Sequence, residues 1–280
     1  MVNHSLKKIA TAVAFSPRLK ANLNESVRLA QKLDATLVLI HVGKKTSKKE
    51  ETIRQFLQEL MFETNLEIIW KEGNPVEVIA STTNDLGVDL LIAGAMINET
   101  LYRYYVGSIA RKLTRTVNCS LLLLTNPSEK ERFLDKVVVN GIENPKTAYT
   151  IKVGVEFSKK IASKNLHIVE EVNPKLIKVT AKDSKTIKKA EVIRDRIRKR
   201  EQQRVKELLA EINTGTLRIE SKVIFGKSGY SIAHYTQSIK ADLLIMNSSD
   251  KRMSILDRIF KHDIEFVLSD LPSDLLIIKK

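Results

Sequence analysis

The sequence holds a single cysteine, Cys119, among its 280 residues. One cysteine cannot form an internal disulfide or a cysteine-cluster metal site, and such scarcity is typical of a reducing compartment. Beside a predicted strand, Cys119 is expected to be a small apolar core residue. No apolar run approaches the ~20 residues that a membrane-spanning helix needs, and no leader cleavage signal follows the N-terminal lysines. These absences predict a cytoplasmic protein.

Signatures of catalysis are lacking as well. The five histidines lie in separate predicted elements without the spacing of metal ligands. No G-x-S-x-G elbow occurs, and no nucleophile is paired with a base. Gly226-Lys227-Ser228-Gly229 has part of a P-loop pattern, but no glycine stands five residues before Gly226, so we interpret it as a turn. The sequence therefore predicts no catalytic residue and no metal site, and it favours a protein that is not an enzyme.

Positive charge is abundant, with 47 lysines and arginines against 33 acidic residues and a net charge of +14. The excess is concentrated between residues 175 and 212, a segment that contains 13 basic and six acidic residues. A solvated helix face accounts for such a cluster. The alternative is a docking surface for nucleic acid, an anionic lipid surface or an acidic protein. Its candidate residues are Lys188, Lys189, Arg194, Arg198, Lys199 and Arg200. Because aromatic side chains are lacking there, recognition of single strands is disfavoured.

The chain is longer than the ~100–200 residues of one domain, so two domains are expected. Continuous apolar strands alternate with amphipathic helices in the order βαβαβαβαβ over residues 1–127, and the pattern starts again at residue 136. Residues 128–135 are polar and predict a linker. Alternation of this kind is typical of a parallel sheet covered on both faces. We therefore predict two tandem α/β domains, at 1–127 and 136–280, each doubly wound with a five-stranded parallel sheet.

An internal repeat supports duplication. Gly73 lies fifteen residues before the VDLLI strand that starts at Val88, and Gly226 lies fifteen before the ADLLI strand that starts at Ala241. His41 and His167 are interpreted as equivalent packing residues of the second strands. We expect the halves to form an internal pseudo-dimer through the end strands, 121–124 and 275–278. Further homodimerisation of whole molecules is left open.

Several motifs in order carry a resemblance to a known family: a strand with a serine-containing turn, the LIHV strand, a G-x-P turn, DLLIAGA, and GSIARKLTRTVNCSLLLL. With these motifs taken together, the chain resembles the universal stress protein family. The resemblance is strong in the first half, and in the second half it rests on the pattern of elements. The resemblance implies an adenine-nucleotide alpha hydrolase-like fold. It also implies a regulatory or binding role in stress responses, through an unknown protein partner.

The resemblance further implies where ATP binds in some members. Their pattern, G-x2-G-x9-G-(S/T), falls here on Gly94, Ile97, Gly107 and Ser108, so the middle glycine is missing. Glycines at such positions let the backbone approach phosphates. Binding members usually carry an aspartate at the end of the first strand, where this chain has Ala14, whereas Val42 is kept at the position that packs on the base. The candidate ATP site is therefore Val42, Gly94, Gly107 and Ser108, and its structural alternative is a strand-end turn followed by an ordinary helix cap.

Three functions follow from these residues. The leading hypothesis is a non-catalytic regulatory protein in which ATP binding is weak or lost, so the cofactor is none, or weakly held ATP. The second is an ATP-binding sensor or slow ATPase that uses the first domain. The third is a basic scaffold that docks an acidic partner or nucleic acid through the helix that contains Lys188. The second domain is expected to be degenerate, because no glycine follows Met246 within the next seventeen residues.

Overall fold

A computed structural model describes residues 6–61, 66–98, 103–179, 183–248 and 258–279. In the first half, seven strands and four helices are described. They are β1 (Lys8–Ala12), α1 (Leu19–Leu33), β2 (Thr36–Val42), α2 (Ser47–Glu59), β3 (Glu67–Lys71), α3 (Pro75–Asp85), β4 (Leu90–Gly94), β5 (Met96–Asn98), β6 (Arg103–Tyr105), α4 (Ser108–Thr116) and β7 (Ser120–Leu124).

The described part of the second half repeats this order without a hairpin like β5–β6. Its elements are β8 (Lys136–Asn140), α5 (Thr147–Lys160), β9 (Asn165–Val172), α6 (Ser184–Ala210), β10 (Arg218–Phe225), α7 (Tyr230–Ser238), β11 (Leu243–Asn247), α8 (Arg258–Ser269) and β12 (Asp274–Ile278). A short 3₁₀ turn at Pro174–Leu176 follows β9. The predicted helix at 255–268 starts outside the described residues, and its described part is α8.

Ten strands form one continuous sheet in the order β10-β9-β8-β11-β12-β7-β4-β1-β2-β3. Within each half neighbouring strands are parallel, and the two halves meet where β7 and β12 pair antiparallel. The predicted contact through the end strands is therefore confirmed. Since the halves run in opposite directions, the carboxyl ends of their strands lie on opposite edges of the sheet. The strand order places β1 at the switch point of the first half and β8 at that of the second.

Local sequence explains where helices begin. Asn74 caps α3, since its side-chain oxygen accepts from the Val76 N–H at 3.0 Å, and Pro75 follows at the first helical position. Asp183 caps α6 through a reciprocal capping box with Thr186. These polar side chains satisfy N–H groups that the first turn of a helix leaves without partners. Their loss would fray the helix starts.

The core lies on both faces of the sheet. Ile9, Leu37 and Leu39 pack into one apolar cluster, whereas Ala10 and Val38 pack into the other, as the two-residue period of strands requires. All five are no more than 3% exposed. Burial on both sides explains why these strands are continuous apolar runs.

The segment that connects the halves is fixed to α1. Asn24 on α1 donates to the Ser128 carbonyl at 3.0 Å, and Ser128 N–H lies 3.2 Å from the Glu25 carboxylate. Arg132 then bridges Glu25 on α1 and Asp274 on β12. The predicted linker therefore packs against the protein. Its hydrogen bonds and ion pairs connect the first helix, α1, with the last strand, β12.

One region differs from what its sequence predicts. The sequence of residues 96–106 predicts a variable polar segment, whereas the structure has an antiparallel hairpin there, β5 and β6, in which Ile97 pairs with Tyr104. Residues 99–102 lie outside the described ranges. Within the residues described, no helix has the length and apolar character to cross a membrane.

Candidate functional site

A cavity of about 820 Å³ opens at the carboxyl ends of β1 and β4, the switch point of the first half. All four predicted residues line it: Val42 at the end of β2, Gly94 at the end of β4, and Gly107 with Ser108 at the start of α4. Ligand pockets are commonly ~300–1,000 Å³ and occur at such switch points. The structure thus brings together residues that are up to 66 positions apart in the sequence.

Two buried polar atoms face no partner in this region. Thr11 Oγ1 on β1 and Asn22 Oδ1 on α1 are buried without a hydrogen bond, and both residues line the cavity. Native proteins leave few such groups unsatisfied, so each is a candidate ligand contact. Sequence reasoning missed both. Pro17 marks the start of α1, and counting one turn from it would have placed Asn22 beside the strand ends.

Aromatic side chains form one wall beside the cavity. The Phe15 and His41 ring centroids are 4.9 Å apart, and those of His41 and Trp70 are 5.1 Å apart, both edge to face. His41 Nδ1 lies 3.0 Å from the Val13 carbonyl, and Lys49 Nζ lies 3.2 Å from His41 Nε2. The lysine can only donate, so Nε2 accepts and the ring proton sits on Nδ1. Phe15 keeps 38% of its surface exposed.

The start of α4, where phosphates would be expected, is partly covered. Gly107 is the N-cap residue and provides no side-chain hydrogen bond to the helix. A Cβ added at Gly107 would lie 2.5 Å from the sulfur of Met96, so that side chain packs directly on this glycine. Ala14 lines the cavity without a polar group. Methionine is flexible and can move aside. Arg18 is the charged group among the described lining residues, and it already donates to the Thr125 carbonyl.

Pairing registers define which residues of the two halves correspond. Lys8 pairs with Thr36 and Lys136 with Asn165, and the backbone N–H of each lysine is held by an aspartate, Asp89 or Asp242. Counting from these pairs, the equivalent of His41 is Glu170. His167 corresponds to Val38, so the predicted equivalence of His41 and His167 is wrong. In the second half, the chain between the starts of the first and second strands is one residue longer than in the first half.

In the second half, polar and charged side chains that bond within the protein stand at positions equivalent to residues lining the cavity. Asn247 stands where the first half has Gly94, and Thr150, which stands at the position of Asn22, donates to it. Glu171 stands where the first half has Val42. Its carboxylate accepts from the N–H groups of Gly229 at 3.1 Å and Ile232 at 2.8 Å, at the start of α7.

A buried ionic cluster surrounds Glu170, the equivalent of His41. Arg204 on α6 bonds to the Glu170 carboxylate and to the Gly141 carbonyl, the equivalent of the Val13 carbonyl that His41 contacts. Arg204 also pairs with Glu201 at 3.0 Å. Glu170 is 2% exposed, and burial raises the pKa of its carboxyl group to about 8 despite Arg204. The helix α6 therefore closes the strand ends of the second half.

This cluster predicts a pH dependence of stability. Because the pKa of Glu170 is raised on folding, the native state binds more protons than the unfolded state between about pH 4.5 and pH 8. Its contribution to the free energy of unfolding is full below that window and is lost as pH rises through it. In urea unfolding, Glu170→Gln should resemble the wild type at pH 5 and gain stability relative to it at pH 8.5. Parallel pH profiles for the two proteins would contradict this assignment.

The six basic residues predicted as a docking surface separate into two groups. The guanidinium groups of Arg194 and Arg198 lie 5.9 Å from the Phe225 ring, and Arg198 pairs with Asp195 at 2.6 Å. Arg200 pairs with Glu201 and lies 3.9 Å from Glu143. Lys188, Lys189 and Lys199 are exposed and have no ion pair in the described part of the chain. The arginines are thus engaged by the protein, and the lysines face solvent.

Comparison with known proteins now places the chain. Residues 5–125 match the model of the universal stress protein family. This part of the chain, its first half, is therefore similar to the universal stress protein family. A Staphylococcus haemolyticus protein that carries the family's name is 26% identical over 151 residues, which covers 47% of this chain and 92% of that protein. The sequence match is thus confined to about half of the chain.

Two solved structures match this chain over almost its whole length. A functionally unknown protein from Pseudomonas aeruginosa PAO1 has a TM-score of 0.70 at 15% identity and covers 99% of this chain and 93% of its own. A universal stress protein from Archaeoglobus fulgidus DSM 4304 has a TM-score of 0.61 at 14% identity, covering 99% and 98%. At these identities the likeness concerns the fold, which is the predicted α/β class. The chain has a mostly parallel sheet of this kind.

No cluster of three or more histidine, cysteine, aspartate or glutamate side chains suited to a metal ion occurs among the described residues. The described lining consists of backbone, apolar side chains, a few hydroxyl and amide groups, His41 and Arg18. Such a lining can bind and orient a small molecule.

Proposed function

We propose that this chain is a non-catalytic regulatory member of its family whose first half binds a small ligand and holds ATP weakly or not at all. The observation that carries the proposal is the cavity of about 820 Å³ with Gly94 at its strand end, whereas the second half has Asn247, hydrogen-bonded to Thr150, at the equivalent position. A partner protein would then distinguish the ligand-bound form of the first half from the ligand-free form.

The lining supports a nucleoside better than a triphosphate. Thr11 Oγ1 and Asn22 Oδ1 lack partners in the cavity and can meet the hydrogen-bonding groups of a base or sugar. Val42 and Ala14 offer apolar surface, and no lysine or arginine other than Arg18 lines the cavity among the described residues. Arg18 donates to the Thr125 carbonyl at 2.8 Å, so it is already engaged. Triphosphate charge would be poorly compensated there.

Calorimetric titration of nucleotide-stripped protein tests the proposal. ATP should bind no more tightly than adenosine, because the phosphates gain few contacts, and neither ligand should be hydrolysed. The variant Ala14→Asp with Ile97→Gly restores both family features and should increase ATP affinity at least about tenfold, which corresponds to about 1.4 kcal/mol. Ala14→Asp alone serves as the matched control for added negative charge. Submicromolar binding of ATP by the unaltered protein, or phosphate release from it, would favour the nucleotide-sensor or slow-ATPase alternative instead.

A further inference from the structure

The helix α6 carries a straight row of unpaired positive charge on its outer side. Lys185, Lys189, Arg196 and Lys199 recur at spacings that keep them on one side of an α-helix, and Lys188 lies beside them. We name these five residues the cationic stripe. All five are exposed, and none has an ion pair or side-chain hydrogen bond in the described ranges of the chain. No acidic residue interrupts the stripe, whose only other member is Val192, 59% exposed.

The protein does not use this surface for packing. Within α6 the buried residues are Ala190, Glu201 and Val205, so only one residue of the first seventeen is fully buried. The inner side of that segment is occupied by Arg194 and Arg198 over Phe225, at the end of β10. The cationic stripe therefore faces away from the sheet, on a helix that is firmly started by the Asp183 capping box.

We propose that the cationic stripe binds the phosphate backbone of double-stranded nucleic acid without regard to its sequence. The stripe runs from Lys185 to Lys199, fifteen residues, so its ends are about 21 Å apart along a helix that rises 1.5 Å per residue. A duplex strand presents a phosphate about every 3.4 Å along its axis. One strand therefore places several phosphates along the length over which the stripe places five cations. A helix about 10–12 Å wide also matches a major groove about 12 Å wide.

Other anionic partners fit the stripe less well. Helices that lie in a lipid surface insert several apolar or aromatic side chains, and Val192 alone is available here. A coiled-coil partner needs apolar residues along the seam, whereas this seam consists of lysine and arginine. Single strands are bound by stacking on aromatic rings, which the stripe does not contain. Lysines act on phosphate as point charges, so no base preference is expected.

Fluorescence anisotropy with two 20-base-pair duplexes of unrelated sequence, at 50–200 mM salt, tests the proposal on the full chain. The unaltered protein should bind both duplexes equally. The variant Lys185→Gln, Lys189→Gln, Arg196→Gln, Lys199→Gln should bind at least about tenfold more weakly at 100 mM salt. Its plot of log affinity against log salt should be shallower by about 3.6, at about 0.9 per lost phosphate contact.

The matched control removes the same charge elsewhere. Lys44→Gln, Lys48→Gln, Lys112→Gln, Lys152→Gln changes four exposed lysines and should alter affinity by less than about threefold. A variant with Lys185, Lys188, Lys189 and Lys199 all changed to Arg should retain binding, and circular dichroism confirms that each protein is folded. Equal losses in both glutamine variants, no binding at 50 mM salt, or stripe-dependent binding of anionic vesicles or polyglutamate without duplex binding would each overturn the proposal.

Discussion

Asp274→Ala should lower the free energy of unfolding by about 3–5 kcal/mol, the typical cost of removing one partner of a buried ion pair. Asp274 is 1% exposed at the start of β12. One carboxylate oxygen accepts from the N–H and the hydroxyl of Thr125, each at 2.8 Å, and the other pairs with Arg132. The substitution leaves the Thr125 amide and the Arg132 guanidinium buried at the junction of the two halves.

The pseudo-symmetry of the chain provides the control. Ser120 stands at the start of β7 as Asp274 stands at the start of β12, and its hydroxyl accepts from the Lys279 N–H at 3.2 Å. Ser120→Ala removes that single neutral hydrogen bond and should cost about 0.5–1.5 kcal/mol. Urea unfolding compares the variants. Equal costs for the two substitutions would show that the Asp274 network does not hold the halves together.

Gly94→Asn with Asn22→Thr should abolish binding of small ligands in the first half. The pair copies Asn247 and Thr150, which are hydrogen-bonded to each other at the equivalent positions of the second half. The backbone at Gly94 is outside the left-handed region, so asparagine is tolerated there without strain. Calorimetry with adenosine measures the loss, and circular dichroism checks that the fold is kept.

A smaller change at the same position serves as the control. A Cβ at Gly94 would lie 3.1 Å from the Asn22 amide nitrogen, which has to shift by only a few tenths of an ångström. Gly94→Ala should therefore weaken binding modestly. Undiminished binding in the Gly94→Asn, Asn22→Thr variant would place the ligand outside the cavity.

The fold was largely predictable because its strands are buried on both faces. Runs such as 36–42 and 120–124 are apolar without alternation, and helices with one apolar side separate them, which leaves few topologies. The β5–β6 hairpin was not predictable in this way. Its strands are three residues each, too short for a two-residue period to be recognised.

The site was only partly predictable. Glycines at a strand end and a helix start mark the cavity, because both elements meet at the carboxyl edge of a parallel sheet. The equivalence of Glu170 with His41 follows from the strand pairing, whereas the sequence alone favoured His167, three residues earlier. Because side chains alternate along a strand, two residues that are three positions apart point to opposite faces of the sheet. The partners of Arg204 are also 63 and 34 residues away, beyond any local pattern.

The number of adenosine molecules bound per chain tests the central claim most directly, namely that the first half has kept a ligand site and the second has filled its own. Calorimetric titration of the nucleotide-stripped full chain should give one site. That site should vanish in the Gly94→Asn, Asn22→Thr variant and persist in Asn247→Gly. Two sites in the unaltered chain, no site at all, or one that survives closure of the first-half cavity would contradict the account.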